Sequence, residues 1–230
     1  MIVGNGMIAK RFKDYELNDN IIIFASGISN SANKLHTEFE REATLLNTTI
    51  KNNSNKRIIY FSTCSIYDPS LENSLYVRHK KNIESLIIKG ASKYTIFRVS
   101  NPIGATTNKH TLLNYFIEHI LSKQKIIVWK NASRNILDID DMYVICNEII
   151  HENLFLNTTV NIANPHNYKV MYILSAIEKH FNTHGHFDFI DKGGDPKIDT
   201  SAIQPIFDKF NFTFTDNYLP DLLQKFYPIS

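Results

Sequence analysis

Met1-Ile2-Val3-Gly4-Asn5-Gly6-Met7-Ile8-Ala9 opens the chain: a short apolar run, a G-x-G-x-x-A turn, and a helical pattern that ends near Tyr15. In such a turn the first glycine permits a tight reversal and the second lets a pyrophosphate approach the backbone. The small Ala9 lets helix and strand pack closely, and the helix N-terminus offers unpaired N–H groups to phosphate. Alone the turn is a weak signal, because small residues are common where a strand meets a helix. The alternation that follows gives it weight. Ile21-Ile22-Ile23-Phe24-Ala25 is a continuous apolar run of the kind buried on both faces. After a Ser/Asn/Gly loop (Ser26–Asn33), Thr37–Ile50 reads as a helix, Arg57–Ser62 as a strand, Tyr76–Lys89 as a helix and Tyr94–Arg98 as a strand. This order predicts an α/β fold with a doubly wound, mainly parallel sheet.

Past about residue 100 the regular alternation stops. Helical patterns at Thr111–Leu121, Asp141–His151 and Val170–Phe181 are separated by strands near Ile126–Trp129 and Thr159–Ile162, and Tyr218–Tyr227 reads as a last helix. Residues 1–100 are therefore read as the sheet core, and 101–230 as remaining sheet elements plus a small C-terminal lobe. The 230 residues are 43% hydrophobic and 21% charged, with 12% aromatics and a net charge of +2, which excludes disorder and gives no electrostatic footprint for nucleic acid. No apolar run is long enough for a spanning helix, and the start lacks the order of a signal peptide, so the expectation is a cytoplasmic protein without membrane contact. Two cysteines make neither a disulfide framework nor a four-thiolate zinc site. The nine histidines show no metal-ligand spacing, and His184-Gly185-His186 reads as a turn.

The residues with chemistry lie in the middle. Ser62-Thr63-Cys64-Ser65 closes a strand at its carboxyl end, where open sheets bind ligands. Tyr76 follows thirteen residues after Thr63, and Lys80 lies four further on, which on a helix stacks phenol and ammonium on one face. A nearby cation favours phenolate; hydroxyl, phenol and ammonium together are the parts that move a proton on or off a carbinol oxygen. A Tyr and a Lys four apart also arise by chance on solvated helix faces. Cys64 reads as a small packing residue or as pocket lining, Cys146 as core, and Trp129 as core or as a wall of the substrate site.

In this pattern the chain resembles the extended short-chain dehydrogenase/reductases, the NAD-dependent epimerase/dehydratase family that acts on nucleotide sugars, with a Rossmann-like sheet and a substrate lobe. The resemblance implies that Gly4, Gly6, Met7 and Ile8, the strand end Ala25-Ser26-Gly27, and Tyr76 and Lys80 bind NAD or NADP. It makes Thr63, Tyr76 and Lys80 catalytic, and it places Cys64, Ser65, Asn101 (in Arg98-Val99-Ser100-Asn101-Pro102-Ile103-Gly104) and Arg134 near the substrate. Arg134 before Asp138-Ile139-Asp140-Asp141, Asn161-Ile162-Ala163-Asn164-Pro165 and Asp199-Thr200-Ser201 resemble later family landmarks.

One departure stands out. The family carries a second strand, about twenty residues after the glycine turn, whose Asp or Arg holds the adenosine ribose. Here the first helix runs straight into Ile21–Ala25, so a strand–helix–strand section is expected to be missing, and with it the choice between NAD and NADP. The function expected is an NAD(P)-dependent nucleotide-sugar oxidoreductase, with a 4-ketoreductase of surface-polysaccharide sugar synthesis as the choice within the class; Cys64 and Ser65 in place of a dehydratase's acidic pair argue against dehydration and do not separate a reductase from an epimerase. A nucleotide-sugar epimerase, or a non-catalytic nucleotide- or partner-binding relative, is the alternative. The family also implies a homodimer through Thr37–Ile50 and Tyr76–Lys89, where Ile83, Leu86 and Ile87 form a strip that core packing explains equally well.

Overall fold

The computed structural model describes residues 1–31 and 33–229; Ala32, inside the loop read from the sequence as Ser26–Asn33, lies outside the described residues. The chain starts with strand β1 (Ile2–Val3), helix α1 (Met7–Arg11) and a 3-10 turn (Lys13–Tyr15), then β2 (Ile21–Phe24) and α2 (His36–Asn52). Strand β3 (Arg57–Thr63), 3-10 turns at Cys64–Tyr67 and Pro69–Leu71, α3 (Leu75–Gly90), β4 (Lys93–Val99) and β5 (Asn101–Ile103) follow. Next come α4 (Leu112–Leu121), β6 (Lys125–Trp129), β7 (Ser133–Arg134), β8 (Ile136–Asp138), α5 (Ile139–His151) and β9 (Thr158–Ile162). The chain ends with β10 (Tyr168–Lys169), α6 (Val170–Phe181), β11 (His186–Ile190), α7 (Gln204–Lys209) and α8 (Tyr218–Phe226).

Five strands form the central sheet in the order β1-β2-β3-β4-β9, and every adjacent pair is parallel. Because side chains alternate across a strand, the unbroken apolar runs supply two faces. Ile22, Phe24, Ile58, Tyr60 and Ile96 pack with Leu46 and Ile50 of α2 and Ile83 and Ile87 of α3. Ile23, Ile59, Phe61, Phe97 and Val99 pack on the other face with Phe12, Met142, Ile145 and Ile149. The doubly wound sheet is thus as expected. The shortening is visible too: among the described residues β2 is the single strand between Val3 and Arg57, which leaves β1 at the sheet edge.

Ile83 and Ile87 are 1% and 0% exposed against the sheet, so the apolar strip of α3 is core. A second cluster, built from α4, β6, α6 and α8, buries Leu113, Ile117, Ile126, Val128, Ile173, Leu174 and Leu219. Here the sequence reading needs one correction. His186 opens a strand rather than closing a turn, because β11 pairs in parallel with β6 from His186 opposite Lys125 to Ile190 opposite Trp129.

A cleft of about 440 Å3, lined by Tyr15, Ile21, Arg57 and Lys93 among others, lies at the amino ends of the strands. It is on the opposite side of the sheet from the strand ends that carry the glycine turn and Thr63. No helix among the described residues is long and apolar enough to cross a membrane.

Candidate active site

Gly4 leaves β1 at φ +128°, and a Cβ there would stand 2.4 Å from the Ala25 carbonyl oxygen. Only glycine fits, since the left-handed region and the neighbouring backbone both reject a side chain. Gly6 is different. It is the extended N-cap residue of α1, it is exposed, and a Cβ there would meet nothing within 4 Å. The turn therefore leaves open space above its backbone, and it fits the diphosphate of a dinucleotide. Met7 and Ile8 follow in α1, half-buried. On the adenosine side β1 is the edge strand, so among the described residues no neighbouring strand carries an acidic or basic group toward a ribose there.

Thr63 ends β3, where β3 pairs with β4 up to Thr63 opposite Val99. Its Oγ1 accepts the Ser65 N–H at 3.0 Å, which starts the following 3-10 turn and leaves the Thr63 O–H free to donate. Cys64 is turned inward: its thiol donates to the Arg98 carbonyl at 3.0 Å, and burial pushes it up to about 12. Ser65 is half-buried.

Tyr76 and Lys80 lie on the buried face of α3 with Val77, Ile83, Glu84 and Ile87, which removes the solvated-face explanation of their spacing. Tyr76 is 7% exposed and packs among Ile28, Phe39, Val77, Ile66 and Leu71, between the loops after β2 and β3. Among the described residues its hydroxyl has no hydrogen-bond partner, yet it is not among the fully enclosed polar atoms. The Lys80 ammonium lies 5.8 Å from the Tyr76 ring centre, and it is not a free cation. It donates to Glu42 Oε1 at 3.0 Å and to the Tyr60 hydroxyl at 2.9 Å. Two of its three N–H donors are thereby occupied inside the protein.

Glu42, absent from the sequence reading, is fully buried. Burial alone would raise its pKa, but the Lys80 charge and hydrogen bonds from His79, the Ile28 N–H and Tyr60 hold it down at about 2. The sequence did carry a sign of it. Phe39, Leu46, Thr49 and Ile50 mark the buried face of α2, and Glu42 falls on that face at helical spacing.

Of the residues expected near a substrate, Asn101 pairs β5 with β8, and its side-chain amide donates to the Asn135 carbonyl at 2.7 Å. Arg134 of β7 donates to its neighbour Ser133 at 2.8 Å and stands 3.6 Å from Asp68, whose other oxygen accepts from Ser70 N–H. This pair joins the loop after β3 to the strand β7 of the lobe. Arg98 does not line an open site: it forks onto Glu84 at 3.0 and 2.6 Å and donates to the Tyr67 hydroxyl. Tyr67 in turn donates to Asn161, whose amide reaches the Asp199 carbonyl. The landmarks Arg98, Asn161 and Asp199 thus form one hydrogen-bonded chain that ties β4, β9 and the loop after β11 together. Asp138 caps α5 by accepting the Asp140 N–H, so Asp140 and Asp141 fall in the first helical turn, where negative charge is favourable. Among the described residues no group of three or more His, Cys, Asp or Glu could hold a metal ion.

The fold is similar to that of a UDP-glucuronic acid 4-epimerase from Bacillus cereus in complex with UDP-glucuronic acid and NAD, at 16% identity and TM-score 0.74, covering 97% of this chain and 77% of that one. It is similar also to a dTDP-glucose 4,6-dehydratase from Bacillus anthracis in complex with NAD, at 12% identity and TM-score 0.69, with 97% and 77% covered. A UDP-N-acetylglucosamine 4-epimerase from Methanobrevibacter ruminantium matches at 16% identity and TM-score 0.64, with 90% and 75% covered. At these identities the likeness is one of fold. No curated protein matches the chain significantly. The model of the NAD-dependent epimerase/dehydratase family matches residues 8–163, from α1 through Thr63, Tyr76 and Lys80 to the end of β9; the chain therefore belongs to that family, the extended short-chain dehydrogenase/reductases, with a shortened N-terminal half.

Proposed function

We propose that the protein is an NAD(P)-dependent nucleotide-sugar oxidoreductase or epimerase in which Tyr76 exchanges a proton with the sugar oxygen. The observation that carries this reading is the Tyr76 hydroxyl: without a hydrogen-bond partner among the described residues, and set beside Lys80 between the loops that leave the carboxyl ends of β2 and β3. The nicotinamide, when bound, supplies or accepts the hydride at the sugar carbon. In the reductive direction Tyr76 gives its proton to the oxygen that becomes the carbinol, and solvent restores it. Thr63, with its own O–H free, donates a hydrogen bond to the same oxygen and orients it. Arg134 presents a guanidinium suited to a diphosphate, which competes for it with Asp68.

Within this class we favour a 4-ketoreductase. Dehydration needs an acid or base beside the catalytic threonine, and the residue there, Cys64, is buried with its thiol pushed to about 12. A homodimer through the outer faces of α2 and α3 belongs to the same reading, and light scattering tests it. A second reading, a non-catalytic nucleotide-binding relative, is favoured by the edge position of β1.

The deciding experiment titrates NADH and NADPH into the protein and screens nucleotide sugars for turnover. Tyr76→Phe should then leave binding unchanged and lower turnover by about 10²–10⁴-fold. Near-normal turnover in that variant would remove Tyr76 as the proton donor. Absence of cofactor binding at millimolar concentration would leave the second reading.

A further inference from the structure

Four hydrogen bonds converge on one buried carboxylate. Glu42 Oε1 accepts from Lys80 Nζ at 3.0 Å and from the Tyr60 hydroxyl at 2.7 Å. Glu42 Oε2 accepts the backbone N–H of Ile28 at 2.9 Å and meets His79 Nε2 at 2.9 Å. An ionised carboxylate has about four acceptor sites, so this one is saturated. The four donors come from three different places: α3, the middle of β3, and the loop that leaves β2. Gly27 is pressed onto the same group. A Cβ at that position would stand 2.6 Å from Lys80 Nζ and 2.9 Å from Glu42 Oε1.

We infer that Glu42 is a positioning residue that neutralises Lys80 and clamps the Gly27–Ile28 segment over the ammonium. Lys80, 2% exposed, is then held as half of a neutral pair. The segment beside it is held by a charge-assisted hydrogen bond before any ligand arrives. The ammonium has one fixed position rather than the range of a mobile cation. The conformation of the strand-end loop and the position of Lys80 are then one property, because the same carboxylate holds both.

The clamp rests on the proposed function only for what the site binds, and it is tested without ligand. Glu42→Gln keeps an amide oxygen that can still accept the Ile28 N–H and leaves Lys80 buried without a counter-charge, so the informative variant is Glu42→Leu with Lys80→Met, which removes the acceptor and both charges together. Amide exchange is followed at Ile28 and at Ile59, in the middle of β3, in the unliganded full chain. Hydrogen bonds to charged groups are worth enough that Ile28 exchange should rise about 10–100-fold in the double variant, while Ile59 stays protected. Lys80→Met alone, which keeps the Glu42 acceptor, should leave Ile28 slow. Unchanged Ile28 exchange in the double variant would overturn the inference. A double variant that fails to fold would do so too, because the pair would then be a requirement of the core rather than a clamp on the segment. Titration with NADH and NADPH separates the two ideas. If the wild-type chain binds neither while Ile28 behaves as stated, the proposed function fails and the clamp stands.

Discussion

Gly4 and Gly6 are two residues apart in one turn, and substituting each by alanine should fail in different ways. At Gly4 the backbone is at φ +128°, and the new Cβ would stand 2.4 Å from the Ala25 carbonyl oxygen and 2.6 Å from its carbon. Holding alanine in that conformation costs about 1–3 kcal/mol. Forcing a methyl against backbone that cannot rotate away costs about as much again. Against a total stability of about 5–15 kcal/mol, a combined loss of about 2–6 kcal/mol leaves a chain that unfolds at much lower urea. Gly6→Ala meets nothing within 4 Å in an extended backbone. There the loss of a glycine N-cap and the gain from a stiffer unfolded chain nearly cancel, to within about 0.5 kcal/mol. That methyl does occupy the space above the turn, so NADH affinity should fall by about tenfold or more. Urea unfolding followed by the fluorescence of Trp129, the single tryptophan, reads stability, and NADH titration reads binding. A Gly4→Ala protein within 0.5 kcal/mol of wild type, measured against the ~1 kcal/mol centre for point mutants, would refute the geometry of the turn. A Gly6→Ala protein with undiminished NADH binding would refute its role toward a diphosphate.

Two further outcomes follow from the buried groups. Glu42 is held at about 2 against an ordinary value of 4.5, so its contribution is fully present above pH 4.5 and is lost as pH falls toward 2. The gap corresponds to on the order of 3 kcal/mol; urea midpoints measured from pH 6 down to pH 3 should fall, and the Glu42→Leu, Lys80→Met variant should lose less over the same range. Cys64 and Cys146 are both buried, and burial pushes both thiols up. A thiol reagent at pH 8 should therefore modify neither in the native protein and both in denaturant, and rapid native labelling of Cys64 would contradict its inward placement.

The strands were legible because burial on both faces demands unbroken apolar runs. Ile21–Phe24 and Ile58–Phe61 are such runs, and the structure places their strands side by side in register. Thr63, Tyr76 and Lys80 were legible because their spacing is a local property of one strand end and one helix. The shortening was legible from spacing alone: the sixteen residues between Gly4 and Ile21 are too few for a further strand with its crossover. His186–Ile190 was missed although its polar–apolar alternation is that of a half-exposed strand, because the neighbouring His184-Gly185 carries a stronger turn signal.

What the sequence determined by itself was therefore the order of strands and α-helices over the first hundred residues and the helix face shared by Tyr76 and Lys80. Tertiary structure alone decided the state of Lys80. Glu42 precedes it by 38 residues and reaches it only after α2 and α3 have packed on the same face of the sheet. The Asp68–Arg134 pair is likewise made by the approach of the lobe to the loop after β3. Periodicity fixes which way a side chain faces within its own element. Which charge stands opposite it depends on how distant elements dock, and in a low-dielectric interior that docking sets the electrostatics of the site.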